Sequence, residues 1–183
     1  VNIYYTRNSY TLTWDMNGGT VNATGYTSGT VKFGAAITKP SADPTKTGYT
    51  FGGWDKKIPE TMPAEDVTVK AQWEVVNYSI SYNLNGGTVE GNPNSYTVES
   101  DFTLKNPTKE GYTFAGWSGT DISGTEKAVT INNATGNREY TANWTANQYT
   151  ITFDTNGGSK IDPITQDYGT KITAPANPAK EGY

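Results

Sequence analysis

The side chains able to do chemistry in this sequence are carboxylates, lysines, amides and hydroxyls, because its 183 residues include neither Cys nor His. Disulfides, thiolate or imidazole metal sites, and Ser-His-Asp or Cys-His nucleophilic catalysis are thereby excluded. Paired carboxylates could still serve glycoside hydrolysis, which needs two acids flanking a cleft. Asp15 and Asp154 occupy one recurring position, but Asn83 stands there in the intervening copy. Glu65, Asp66, Glu110 and Asp121 fall in separate segments without a recurring partner, so no catalytic residue is assigned. The strings Asp15-Met-Asn-Gly18 and Asp154-Thr-Asn-Gly157 have the opening of a calcium loop but lack its downstream bidentate Glu, and they read as turns. No metal or cofactor is expected. Lys46 and Lys109 recur and raise the idea of a Lys-Asn isopeptide bond, which needs Lys, Asn and a carboxylate buried together. Their Gly and Thr neighbours make solvated lysines the default reading. Sequons at Asn22, Asn77, Asn133 and Asn143 are what a chain rich in Asn and Thr produces by chance.

The elements that would have to position any site must be built from little aliphatic material. Apolar residues make up 34% of the chain and aromatic residues 13%, so burial depends on a few large rings. Thirty Thr and twenty Gly favour pleated strands and tight turns over helices. Fourteen Lys and Arg against eighteen Asp and Glu leave a net charge of -4, which gives no drive toward a phosphate backbone, and nucleic acid is not an expected partner. No stretch approaches the roughly twenty apolar residues of a membrane span, so membrane insertion is not expected. The sequence reads as a soluble piece of something longer.

Self-similarity decides the organisation. Tyr10-Thr-Leu-Thr-Trp-Asp-Met-Asn-Gly-Gly-Thr20 returns as Tyr78-Ser-Ile-Ser-Tyr-Asn-Leu-Asn-Gly-Gly-Thr88 and as Tyr149-Thr-Ile-Thr-Phe-Asp-Thr-Asn-Gly-Gly-Ser159. A second signature follows in phase at Pro44 to Tyr49, Pro107 to Tyr112 and Pro178 to Tyr183, each reading Pro-x-Lys-x-Gly-Tyr. The first two copies continue into Phe-x-Gly-Trp, ending at Trp54 and Trp117, and close on short runs ending at Trp73 and Trp144. These readings give residues 10–76 as one module, 77–147 as a second and 148–183 as the N-terminal half of a third, with 1–9 as the last strand of a preceding domain. Tyr10, Leu12, Trp14 and Met16 alternate onto one face, as do Tyr78, Ile80, Tyr82 and Leu84, the period of a half-buried strand. The following Asn-Gly predicts a hairpin turn with positive φ at both residues, giving strand, tight turn, strand. The Pro-x-Lys-x-Gly-Tyr segment predicts a bend with room for a short helical turn. The tryptophans are expected to pack the cores. Eight extra residues between the paired tryptophans of the second copy are expected to extend a surface loop. Linkers of about four residues are too short for free hinging.

The combination of Asn-Gly-Gly, Pro-Thr-Lys-x-Gly-Tyr-Thr-Phe-x-Gly-Trp and a terminal Ala-x-Trp closely resembles the Listeria-Bacteroides repeat, related to the B-repeat of internalin-type surface proteins. The resemblance covers residues 10–183 in register, apart from the missing second half of the third copy. It implies a β-rich, α+β, β-grasp-like module of mostly antiparallel strands with at most a short helix, repeated in tandem on secreted or wall-anchored bacterial proteins. The expected function is that of a spacer, the stalk of an adhesin at the cell surface, since turn and core residues recur while polar side chains change. The expected partners are neighbouring modules and, through the half-copy 148–183, another chain or the second module. The alternative reading is a module that binds a host protein or a glycan.

Overall fold

The structure is a computed structural model that describes residues 1–182; Tyr183, the end of the third Pro-x-Lys-x-Gly-Tyr signature, lies outside the described residues. Among the described residues there are strands and no helix. The first copy holds β1 (Ser9–Asp15), β2 (Gly29–Lys32), β3 (Tyr49–Trp54) and β4 (Val67–Val75). The second holds β5 (Tyr78–Asn83), β6 (Ser95–Tyr96), β7 (Asp101–Thr103), β8 (Tyr112–Gly119), β9 (Thr130–Asn132) and β10 (Arg138–Ala146). The third holds β11 (Gln148–Ile151) and β12 (Ile164–Asp167). By contact the chain divides into two compact units. One is Val1–Tyr78 with Tyr96–Ser100 and Asn132–Gly136; the other is Ser79–Ser95 with Asp101–Ile131 and Asn137–Tyr183.

In the first unit the sheet order is β2-β1-β4-β3. The outer pairs are antiparallel, but the central strands β1 and β4 run parallel, Leu12 opposite Val67 and Trp14 opposite Val69. The alternation read in β1 holds: Leu12 and Trp14 are buried and Tyr10 and Met16 pack at the margin of the same cluster. Ile37, Met62, Val67 and Val69 complete that cluster, with Tyr26, Val31, Trp54 and Ile58 around it. Trp14 is edge-on to Trp54 at 5.2 Å and to Tyr26 at 5.5 Å, the T-shaped geometry that ring quadrupoles favour.

The Asn-Gly turn forms as read, with φ of 49° at Asn17 and 82° at Gly18, and Gly19 N–H donating to Met16 O at 2.9 Å. The hairpin reading is corrected, however. Residues beyond the turn do not return along β1. Thr20 bridges instead to Thr45 of the Pro-x-Lys bend, and β1 takes its antiparallel partner from β2, Leu12 opposite Gly29. The bend itself is a tight turn closed by Tyr49 N–H donating to Lys46 O, not a helical turn.

In the second unit a sheet of order β6-β5-β10-β8 repeats the arrangement, again with a parallel central pair. Its interior centres on Trp117, whose relative exposure is 0%, with Ile80, Leu104, Val129, Ile131, Tyr140 and Ala142 buried. The Phe-x-Gly-Trp motif is a β-bulge in both copies. The register shifts opposite it, and Gly53 and Gly116 take φ of 103° and 145°, conformations that favour glycine. The loop expected in the second copy folds back onto its strand: Trp117 and Glu126 exchange backbone hydrogen bonds of 2.7 and 2.8 Å, and Asp121 pairs with the largely buried Arg138 at 2.8 Å.

Tyr82 lies between Trp117 and Tyr140 and donates to Pro93 O at 2.8 Å. Burial, and then the Tyr140 hydroxyl, push its phenol from 10.0 up to about 12. The folded value exceeds the unfolded one, so the protonated phenol's contribution is intact below pH 10 and lost as pH rises from 10 toward 12. Phenolate absorbance should therefore show an ionisation near pH 12 that Tyr82→Phe removes. A titration in which all tyrosines ionise near pH 10 without loss of structure would contradict this placement.

Candidate functional site

The carboxylate positions that could have carried chemistry serve the backbone. Asp15 Oδ1 accepts from Asn17 N–H at 2.8 Å, Asn83 Oδ1 from Asn85 N–H at 3.2 Å, and Asp154 Oδ1 from Asn156 N–H at 2.9 Å. Each is an Asx turn, which needs an oxygen acceptor two residues ahead and no charge, so Asn replaces Asp freely. Asp66 accepts from Thr11 N–H, and Asp121 holds Arg138. Among the described residues no group of three or more acidic side chains could hold a metal ion.

The Asn of the Asn-Gly-Gly turn ties it to the closing strand: Asn17 Nδ2 donates to Ala71 O at 3.1 Å, and Asn85 Nδ2 to Ala142 O at 2.9 Å. The two glycines have different reasons to be there. Gly18 and Gly86 supply positive φ. Gly19 and Gly87 leave room for a ring, since a Cβ on either would collide with Trp73 or Trp144. Those indoles lie across the turn and donate from Nε1 to Met16 O and Leu84 O, both at 3.0 Å. Trp73 and Trp144 are consequently half-buried lids on a turn, whereas Trp14 and Trp117 are the buried tryptophans.

Lys46 and Lys109 are not simply solvated, which corrects the default reading. Lys46 Nζ reaches Asn17 O at 3.4 Å and lies 4.2 Å from the Tyr49 ring centroid; Lys109 Nζ reaches Asn85 O at 2.9 Å and lies 4.2 Å from that of Tyr112. Lys180 donates to Asn156 O at 3.0 Å in the third copy. Each lysine joins the Asn-Gly turn of its copy to the bend, a charge-assisted hydrogen bond with cation-π support at Lys46 and Lys109. The backbone does likewise, as Thr20, Thr88 and Ser159 donate to Thr45, Thr108 and Ala179. This clamp forms in all three copies, including the one without a closing strand.

The bend carries a second contact, which sequence reasoning missed. In the first unit Val98 fills the space where a Cβ of Gly48 would stand, Val76 N–H donates to Gly48 O at 3.0 Å, and Tyr49 Oη donates to Glu99 Oε1 at 2.6 Å. That hydrogen bond is the main cause of the Tyr49 phenol being raised above its ordinary value. In the second unit Tyr168 fills the same space at Gly111, and Asn147 N–H donates to Gly111 O at 2.9 Å. Tyr168 meets Tyr112 edge-on at 5.7 Å. In both cases the Gly-Tyr bend of one copy receives an apolar side chain from the copy that follows it in sequence. Glycine's recurrence before that tyrosine was the available signal; what fills the gap was hidden because Val98 and Tyr168 fall at different spacings from their Asn-Gly turns.

Sheets of one topology, repeated along the chain with the same bend used within each copy and at its junction with the next, define a tandem β-repeat protein. The chain belongs to the Listeria-Bacteroides repeat family, whose domain model matches residues 10–72, 78–145 and 149–183. Over 96% of its length it is 31% identical to a Gly-rich protein of Evansella cellulosilytica whose name is that of a membrane protein, and it spans 21% of that protein. It is 35% identical over 64% of its length to Internalin H of Listeria monocytogenes, of which it spans 22%. Among solved structures it overlaps Streptococcal High Identity Repeats in Tandem (SHIRT) domains 3-4 from a cell surface protein. That overlap has 21% identity and a TM-score of 0.26, over 75% of this chain and 99% of the other, and is too loose to carry an argument.

The Asx-turn reading makes a paired prediction. Asp15→Asn should change stability by no more than about 0.5 kcal/mol, because only an exposed, 3.8 Å ion pair with Lys70 is lost. Asp15→Ala should cost about 1 kcal/mol through loss of the hydrogen bond. Equilibrium urea unfolding of the two variants decides it; equal losses would show that charge, not the acceptor, matters there.

Proposed function

We propose that this chain is a non-enzymatic spacer, a tandem-repeat segment of a bacterial cell-surface or secreted protein that stands in the stalk of an adhesin. Its modules run over residues 10–76 and 77–147, with 148–183 the first half of a third and 1–9 the terminal strand of a preceding domain. The observation that carries this reading is the repeated junction at Gly48 and Gly111, where the following copy seats an apolar side chain and the linker donates a backbone hydrogen bond. A joint built from backbone and apolar surface suits a part whose task is to hold neighbours in place. Membership of a repeat family and a resemblance to Internalin H support the surface setting. The strand order β2-β1-β4-β3 around a parallel central pair supports a β-grasp-like reading of each module.

The recurring polar groups also support a structural role. Asp15, Asn17 and Lys46, with their counterparts in the other copies, are engaged by turns and strands of their own copy. Small-angle scattering tests the spacer directly. Each added copy should lengthen the maximum dimension by about 25–30 Å, the diameter expected for a compact module of this size. Val98→Ala and Tyr168→Ala, which empty the spaces at Gly48 and Gly111 without straining the bend, should broaden the distance distribution without melting the sheets. A maximum dimension that does not grow with copy number would contradict the proposal.

A further inference from the structure

The junction has two halves, and the first copy carries one of them that the described contacts leave unfilled. Three tight turns correspond to one another: Lys32 to Ala35, Thr97 to Ser100 and Asp167 to Thr170, each closed by a backbone hydrogen bond of 3.0 to 3.1 Å. Their second residues are Phe33, Val98 and Tyr168, apolar every time. Val98 and Tyr168 fill the spaces at Gly48 and Gly111. Phe33 is 49% exposed. The backbone behind it matches as well. Tyr168 N–H donates to Asn147 O at 2.8 Å and Asn147 N–H donates onward to Gly111 O; Phe33 N–H donates to Asn8 O at 2.8 Å. Asn8 therefore stands where Asn147 stands, its carbonyl used in the same way.

We infer that Phe33, with the Asn8 peptide, is a docking surface for the Gly-Tyr bend of another Listeria-Bacteroides repeat joined ahead of residue 1. Phe33 would sit over that glycine in the space a Cβ would occupy, and Asn8 N–H would donate to the glycine carbonyl. The occupant is specified by shape and by backbone. Phe33 can approach to the Val98 or Tyr168 position only over a residue without a side chain, and the carbonyl offered to Asn8 must belong to that same residue. A contact of one side chain and one hydrogen bond is too small to hold a free partner, but tethering to the same polypeptide supplies a high effective concentration. The inference rests on the spacer reading and extends its junction to the N-terminal side of the first copy.

The test joins a second copy of residues 78–139, or separately of residues 10–68, directly ahead of Val1 in the full chain. Either extension rebuilds a repeat that places a Gly-Tyr bend before Phe33 as Gly111 stands before Tyr168. Amide exchange and nuclear Overhauser contacts are then read by NMR. The expected result, with at least one extension, is Asn8 amide exchange slowed tenfold or more and a contact from the Phe33 ring to the added glycine's α-protons. Phe33→Ala, which removes the docking ring without straining the added bend, should restore fast Asn8 exchange. If neither extension slows Asn8 or gives the ring contact, while Val76 and Asn147 amides stay protected, the inference is overturned and the spacer reading stands. If Val76 and Asn147 exchange freely as well, the spacer reading falls with it.

Discussion

The structure depends on flat or apolar side chains lying against backbone that has no side chain of its own. A chain with so few aliphatic residues cannot fill its interior by interlocking branched side chains, and large rings need broad, smooth surfaces to reach van der Waals contact. Glycine provides them. Trp73 lies on Gly19 and Trp144 on Gly87, fixing the Asn-Gly-Gly turn to the closing strand. Val98 on Gly48 and Tyr168 on Gly111 use the same device at the bend. Alongside those contacts the turn lies beside the bend, and the lysine of the bend reaches the turn's carbonyl, a clamp that the third copy makes without the ring.

Much of this was legible in the sequence because it is local. Alternation placed β1 and β5, Asn-Gly placed two residues of positive φ, and the recurring signatures gave the copies. What was not legible is the pairing between distant segments. A parallel pair needs a long crossover, and nothing in the composition of β1 or β4 distinguishes a parallel neighbour from an antiparallel one. For the same reason Asn17-Gly18 looked like the link between paired strands, although β1 pairs with Gly29–Lys32 across a longer loop.

The site residues divide along the same line. Asp15 invited a catalytic or calcium reading because it recurs as Asp154, and the Asn83 substitution was the visible clue that only an acceptor is required. The second glycine of Asn-Gly-Gly carried no local explanation, since its partner ring lies more than fifty residues away at Trp73 or Trp144. Lys46 seemed solvated beside Gly and Thr because its acceptor, Asn17 O, is remote in sequence. Physical necessity was visible in each case as recurrence, whereas the partner that creates it was not. The proposed spacer role draws on this use of residues: the recurring polar groups hold turns and bends.

The claim that a ring on bare backbone holds each of the first two repeats is tested most directly by a double-mutant cycle between Gly87→Ala and Trp144→Ala in the full chain, read by equilibrium denaturant unfolding. Gly87 is not among the residues of positive φ, so the added methyl meets the Trp144 ring first, with Thr108 O at 3.0 Å as a lesser contact. The account predicts that Gly87→Ala costs about 1–3 kcal/mol beside Trp144, as overpacking does, and clearly less once Trp144 is Ala and only Thr108 O crowds the methyl. The coupling should then be at least about 1 kcal/mol. Costs that add to within about 0.5 kcal/mol would contradict it.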